Sequence, residues 1–222
     1  LETPAKKKIK FTSFFNFKNT KDFNYIFIAP AVGLNYYDGI MPGVMFHNYN
    51  LPPSNLQFFV AGLYGTKSKR FNGLASFNYN AYMSPNGKKL MLGLSAASFT
   101  VDNFKDSTGT TNIQPYSKIV PTIKYVFAKK TPRSTLNKYL QWKTFFINET
   151  GLLFSRDTIL NVFNISYPKA NRYVNQLKFV IEQNRVLYPY KGSLEINQGK
   201  DFVRAGFTGN YFFNYAKEGG LD

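Results

Sequence analysis

The feature that most constrains this chain is a two-residue alternation of apolar and polar side chains, sustained over long segments. It is plainest in Tyr173–Gly209. There Tyr173, Leu177, Phe179 and Ile181 fall on one side, and Gln176, Lys178 and Glu182 on the other. Past a tight connection, Leu194 and Ile196 alternate with Ser193, Glu195 and Asn197. A period of two is that of an extended strand, because successive side chains point to opposite faces. The stretch therefore reads as two long paired strands. Large apolar groups on one face and charges on the other require two surroundings, one oily and one wet. Repeated along a chain, that asymmetry points to a closed barrel with a hydrated interior and a lipid-facing outside.

The pattern does recur. Lys8–Lys18 sets Ile9, Phe11, Phe15 and Phe17 against Lys10, Thr12, Asn16 and Lys18. Phe71–Met83 sets Phe71, Phe77 and Tyr79 against Asn72, Ser76, Asn78 and Asn80, and three asparagines in line suit a wet lumen. Phe23–Tyr36 is apolar on both faces, as where a barrel interior is plugged or packed, and Pro30 within it predicts an irregularity or bulge. Ile40–Tyr49, Leu56–Thr66, Lys89–Val101, Tyr116–Ala128, Lys138–Asn148 and Asp201–Tyr215 complete the set. These amount to about ten strands of about ten residues, the length a tilted strand needs to cross a bilayer. Short turns at Asn19–Asp22 and Ser84–Gly87 contrast with longer loops at Asp102–Gln114 and Glu149–Arg172, the second holding a short strand at Thr158–Ile165. Outer-membrane barrels show that asymmetry.

The chain thus reads as all-β, an antiparallel up-and-down transmembrane β-barrel occupying residues 1–222 as a single domain. It also reads as part of a larger barrel, cut at both ends. Leu1-Glu2-Thr3-Pro4 is not followed by the apolar segment of a signal peptide, and Glu218–Asp222 has the look of a turn entering another strand.

Composition narrows the chemistry. The 23 Phe and 16 Tyr are interleaved with Asn, Lys, Ser and Thr, so the mean hydropathy is still −0.29. No run approaches the roughly 20 apolar residues of a membrane-spanning helix, which leaves strands as the way across. The absence of cysteine removes disulfides and thiolate metal sites. The net charge of +16 comes from dispersed lysines in place of one basic stripe. That speaks against a nucleic-acid surface. It suits loops, turns and a wet lumen, with attraction to glycolipid phosphates as a further reading. His47 is the single histidine, too few for a zinc hydrolase site, and no Gly-x-Ser-x-Gly elbow is present. The expectation is a non-enzymatic chain without metal or cofactor. Glu182 and Glu195 lie on polar faces near Lys178, Arg185 and Lys191. Two carboxylates could do acid–base work on a glycoside. The preferred reading is a structural network of charges in the lumen.

Two resemblances follow from particular residues. Asn184-Arg185 and then Tyr188-Pro189-Tyr190-Lys191-Gly192 resemble the hairpin signature of the surface-antigen barrels, the group of barrel-assembly and two-partner-secretion transporters. That signature is an acidic residue with Arg, then Pro-x-x-Gly. Arg185, Pro189 and Gly192 match it, while Gln183-Asn184 stands where an Asp is common. The runs Ile28-Ala29-Pro30-Ala31-Val32-Gly33-Leu34-Asn35, His47-Asn48-Tyr49, Ile119-Val120-Pro121 and Gly209-Asn210-Tyr211-Phe212-Phe213-Asn214-Tyr215 are similar to the barrel region of Bacteroidetes outer-membrane proteins. Some of those carry an N-terminal aminopeptidase N-type metallopeptidase domain, none of whose metal ligands lie here. The resemblance implies residence in the outer membrane of a Gram-negative bacterium. It implies a role as membrane anchor and as a pore for polypeptide translocation or insertion. Outer-membrane lipid and glycolipid, a polypeptide cargo and envelope proteins are the implied partners, and nucleic acid is not. The competing reading is a soluble ligand-binding barrel or sandwich of lipocalin type. Strand length separates the two, since soluble strands average about five or six residues. An outer-membrane lipase is a third reading and would have to use His47.

Overall fold

A computed structural model describes residues 8–13, 22–50, 53–84, 86–105, 109–157, 162–216 and 219–221. These hold fifteen strands and no helix, so no helix crosses a membrane among the described residues. The first eight strands are β1 (Lys8–Ser13), β2 (Phe23–Asn35), β3 (Gly39–His47), β4 (Leu56–Tyr64), β5 (Phe71–Tyr82), β6 (Lys89–Lys105), β7 (Thr111–Val126) and β8 (Leu136–Thr150). They are followed by β9 (Leu153–Asp157), β10 (Val162–Ser166), β11 (Lys169–Gln183), β12 (Tyr190–Gln198), β13 (Val203–Tyr211), β14 (Phe213–Ala216) and β15 (Gly219–Leu221).

One sheet takes eleven of these in the order β1-β2-β3-β4-β5-β6-β7-β8-β11-β12-β13. Nearly every neighbour in the sheet is thus the next strand in the chain, the order expected of an up-and-down fold. β9 with β10 and β14 with β15 form separate two-stranded sheets. The sheet is all-β and mostly antiparallel, as the alternation predicts, and it departs from the predicted pattern in several places. β1 lies parallel to β2, from Lys8 opposite Phe23 to Ser13 opposite Ile28. The sheet ends at β1 and β13, and no pairing joins those two among the described residues.

The segments expected to be long loops are the main corrections. Asp102–Gln114 is mostly strand, because β6 runs on to Lys105 and β7 starts at Thr111. Pairing with a neighbour outweighs the weak strand propensity of Asp and Asn, and Phe104 meets Phe154 of β9 edge-on, centroids 5.6 Å apart. Glu149–Arg172 is likewise not an irregular loop. It holds the end of β8, the β9–β10 hairpin and the start of β11. Within the strand expected at Thr158–Ile165, residues 158–161 lie outside the described ones and the rest belongs to β10. Pro30 makes no bulge, since the register runs unbroken from Phe27 opposite His47 to Asn35 opposite Gly39. The described part of β1 ends at Ser13, opposite Ile28. The strand expected at Lys8–Lys18 is seen as β1, with residues 14–18 outside the described ones; the turn at Asn19–Asp22 lies outside them too, except Asp22.

The chain divides into two compact units. One comprises Leu1–Phe77, Ser95–Ile119 and Ile147–Asn171, and the other Asn78–Leu94, Val120–Phe146 and Arg172–Asp222. In the first, one face of β2–β3–β4 buries Tyr25, Phe27, Met41, Ala61 and Leu63. Burial of side chains such as Phe27 and Met41 contributes about 1.5–3 kcal/mol each. Backbones approach closely here. A Cβ on Gly43 would sit 1.9 Å from the carbonyl oxygen of Gly62, so only glycine fits. The other face of the same strands is also apolar but open, with Val32 73% and Leu34 78% exposed. In the second unit β11, β12 and β13 form a meander with clean rows. Phe179, Leu194 and Phe207 lie side by side, as do Leu177, Ile196 and Ala205. The alternate rows run Lys178–Glu195–Gly206 and Glu182–Lys191–Asn210.

Candidate functional site

The five charges singled out in the sequence fall on or beside the β11–β12 pair, and the structure sorts them. Lys178 stands opposite Glu195, with Nζ 3.0 Å from Oε2. Glu195 Oε1 also accepts hydrogen bonds from Gln176 Nε2 (3.0 Å) and Asn197 Nδ2 (2.8 Å). Its carboxylate is thus held on both oxygens by one cation and two amides, all on the polar row of the two strands. Glu182 stands opposite Lys191 in register. Arg185 takes no part in this row. It belongs to the connection at residues 184–189, where its Nε donates to the Tyr188 carbonyl at 3.2 Å. That bond closes a turn in which Tyr188 has φ +53°, the left-handed region that non-glycine residues seldom occupy.

The other residues of the hairpin signature hold the meander together. The Pro189 carbonyl accepts the N–H of Phe212 at 3.1 Å. Gly192 lies between Ile181 and Gly209 in register, and a Cβ there would press on Ile181 Cγ2 at 3.3 Å. Tyr188 stacks on Tyr211.

This arrangement is poor acid–base machinery. Glu195 and Glu182 sit opposite residues 178 and 191, four positions apart along the pair. At about 3.3 Å per residue their backbones are roughly 13 Å apart along the pair. Glu195 is moreover already neutralised. Among the described residues there is no group of three or more His, Cys, Asp and Glu that could hold a metal ion. His47 is buried between Phe27 and Tyr49, ring centroids 5.0 and 5.5 Å away, and its Nδ1 accepts the Tyr49 N–H at 3.4 Å. A ring flanked in this way packs as an aromatic.

A second polar cluster, in the first unit, was not foreseen. Asp38 lies in the turn between β2 and β3 and is fully buried. Its Oδ1 accepts the Ser68 hydroxyl at 2.5 Å. Its Oδ2 accepts the Thr100 N–H and Asn35 Nδ2, each at 3.0 Å. Asn35 Nδ2 also reaches the Thr100 carbonyl at 2.7 Å, and the Asp38 carbonyl accepts the Lys67 N–H at 3.0 Å. One carboxylate therefore ties the β2–β3 turn to the β4–β5 turn and to β6. Gly65 completes the cradle, because a Cβ there would lie 2.4 Å from Ser68 Oγ and 3.1 Å from Asp38 Oδ1. Burial pushes the Asp38 carboxyl up, and hydrogen bonds from Ser68, Thr100 and Asn72 pull it down further, so it stays below the usual carboxylate range. The sequence offers only Asp38-Gly39, a turn signal, since the partners lie 30 and 62 residues away. Sealed from solvent, Asp38 is a structural anchor and not a reacting group.

No family model, no curated protein and no solved structure matches this chain.

Proposed function

We propose that this chain is a membrane-embedded β-sheet, part of an outer-membrane barrel that anchors its protein in the bilayer. The observation that carries this reading is that each unit leaves large apolar side chains of its sheet uncovered. They include Val32, Leu34, Ile40, Val44 and Phe46 in the first unit, and Trp142, Phe146, Leu194 and Phe207 in the second. Water-soluble monomers rarely expose contiguous apolar patches beyond a few hundred Å². On β11 and β12 the polar members share the opposite face, with Gln176, Lys178 and Glu182 across from Asn197, Glu195 and Lys191.

Strand length agrees. β2, β3, β5 and β12 have 13, 9, 12 and 9 residues, and about 9–11 tilted residues cross a bilayer. β6, at 17 residues, is roughly three times a typical soluble strand, which weighs against a lipocalin-type carrier. Lipid supplies no hydrogen bonds, so both sheet edges must be paired there; closure by further pairing is part of the proposal. Passage or insertion of a polypeptide rests on the Arg185, Pro189 and Gly192 likeness to surface-antigen barrels.

Trp142 provides the test. It is the single tryptophan, and it sits 52% exposed on the apolar face of β8. After reconstitution into phosphatidylcholine vesicles its emission should shift to the blue and be quenched by lipids brominated along the acyl chain. Emission typical of water, unquenched by brominated lipid, would refute membrane embedding.

A further inference from the structure

In the second unit the turns at residues 83–84 with 86–88, 127–135 and 184–189 form one rim. These turns are joined side by side. The Lys129 N–H donates to the Asn86 carbonyl at 2.9 Å, and the Asn184 N–H to the Thr135 carbonyl at 3.3 Å. Gln183 Nε2 adds a bond to Thr135 Oγ1 at 2.8 Å. Their relative placement is therefore fixed by bonds and does not depend on loop chance.

The charge on this rim is one-sided. Residues 78–94 and 120–146 contain no Asp or Glu, yet carry two and six Lys or Arg respectively. Lys88, Lys89, Lys129, Lys130, Arg133 and Arg185 all lie in the turns or at their edges. The lysines are set against aromatic rings. Lys88 Nζ lies 5.9 Å from the centre of the Tyr125 ring, and Lys89 Nζ 5.8 Å from that of Tyr82. A lysine ammonium beside a tyrosine ring is a pairing suited to the boundary between hydrocarbon and head groups.

A second observation points the same way. The tips of this basic rim are apolar. Val186 is 95% exposed, and Leu187, Met83 and Tyr82 are exposed as well. Exposed aliphatic tips among cations would be unfavourable in bulk water. At a bilayer surface the apolar tips enter the head-group layer while the cations meet phosphates.

Building on the membrane reading above, we propose that this rim is a binding surface for the phosphate head groups of anionic lipids, which fixes this end of the strands at one leaflet. Lys129, Lys130 and Arg133 on the β7–β8 turn supply the cations, and Val186 and Leu187 the apolar contact. Charge complementarity selects the occupant: the rim is almost free of carboxylate, and lipid phosphate is the anion that comes with an apolar layer beside it.

The intact chain, reconstituted in phosphatidylcholine vesicles, tests this with Trp142 as reporter. Tail-brominated phosphatidylglycerol is titrated against tail-brominated phosphatidylcholine, and the ratio of their association constants is read from quenching. A preference for the anionic lipid of roughly fivefold or more is expected at low salt, falling toward one at high salt. The variant Lys129→Gln/Lys130→Gln/Arg133→Gln, its fold checked by circular dichroism, should lose the preference. A ratio of one in the wild type, or an unchanged ratio in the triple variant, overturns the proposal and leaves the membrane reading standing. Displacement of the anionic lipid by soluble polyglutamate at equal charge would assign the rim to acidic polypeptide and overturn it too. Quenching by neither lipid is the distinct failure of the membrane reading itself.

Discussion

Replacing Asp38 by Ala should be among the most damaging single changes in this protein. The carboxylate is fully buried and accepts hydrogen bonds from Ser68, the Thr100 N–H and Asn35 among others. Hydrogen bonds to a charged group are worth about 1.5–3 kcal/mol each, and an orphaned buried donor costs about 1–3 kcal/mol. The terms do not simply add, because Asn35 keeps its bond to the Thr100 carbonyl and Ser68 can rotate. A loss of roughly 3–5 kcal/mol results, the range of a broken buried network. Asp38→Asn keeps the shape but turns an amide toward donors, and should cost about half as much. The assay is urea unfolding of the purified protein followed by Trp142 fluorescence, with pH as a second variable. The folded-state pKa of Asp38 is lowered, so its contribution is complete above the unfolded-state value of about 4. It is lost as pH falls through the lower folded-state value. Wild-type stability should therefore fall with acid below about pH 4, and the Asp38→Asn protein should lack that component. An Asp38→Ala protein within about 0.5 kcal/mol of wild type, the range of an unremarkable surface change, would refute the network as an anchor.

Other substitutions test separate parts of the fold. Gly43→Ala drives a Cβ to within 1.9 Å of the Gly62 carbonyl, and should destabilise by more than about 2 kcal/mol in the same assay, since backbone must part to admit it. Gly62→Ala, whose Cβ would meet nothing within 4 Å, is the control and should stay within about 0.5 kcal/mol of wild type. The Lys178–Glu195 pair is part-exposed, so a double-mutant cycle with Lys178→Met and Glu195→Gln should return a coupling of only about 0–1 kcal/mol; a coupling of several kcal/mol would mean that the pair is desolvated in the folded protein.

Much of the fold was legible in the chain because alternation is local. A strand such as Phe71–Tyr82 declares itself by which of its own residues are apolar, whatever stands beside it. The same holds for Tyr173–Ile181 and for its partner at Leu194 and Ile196, which the structure pairs as Leu177 with Ile196 and Phe179 with Leu194. The Lys178–Glu195 contact could be anticipated for that reason: two strands joined by a short connection have few registers open to them, and opposite charges choose among those.

What lay beyond the sequence depends on partners distant in the chain. Asp38-Gly39 announces a turn, but nothing near it names Ser68 or Thr100, which only the docking of one turn on another brings to its oxygens. Asp102, Asn103 and Asn112 look like loop residues; neighbouring strands keep β6 and β7 extended through them. Arg185 resembled a member of the charge row because it is near in sequence, and the chain reversal at residues 184–189 instead turned it onto Tyr188. The sequence by itself set the strands and the two contrasting faces, because a period of two is written into each segment. The parallel placement of β1, the ends of the sheet, the Asp38 anchor and the joined basic turns were decided by tertiary structure, because hydrogen-bond partners and register are relations between segments that no single segment contains.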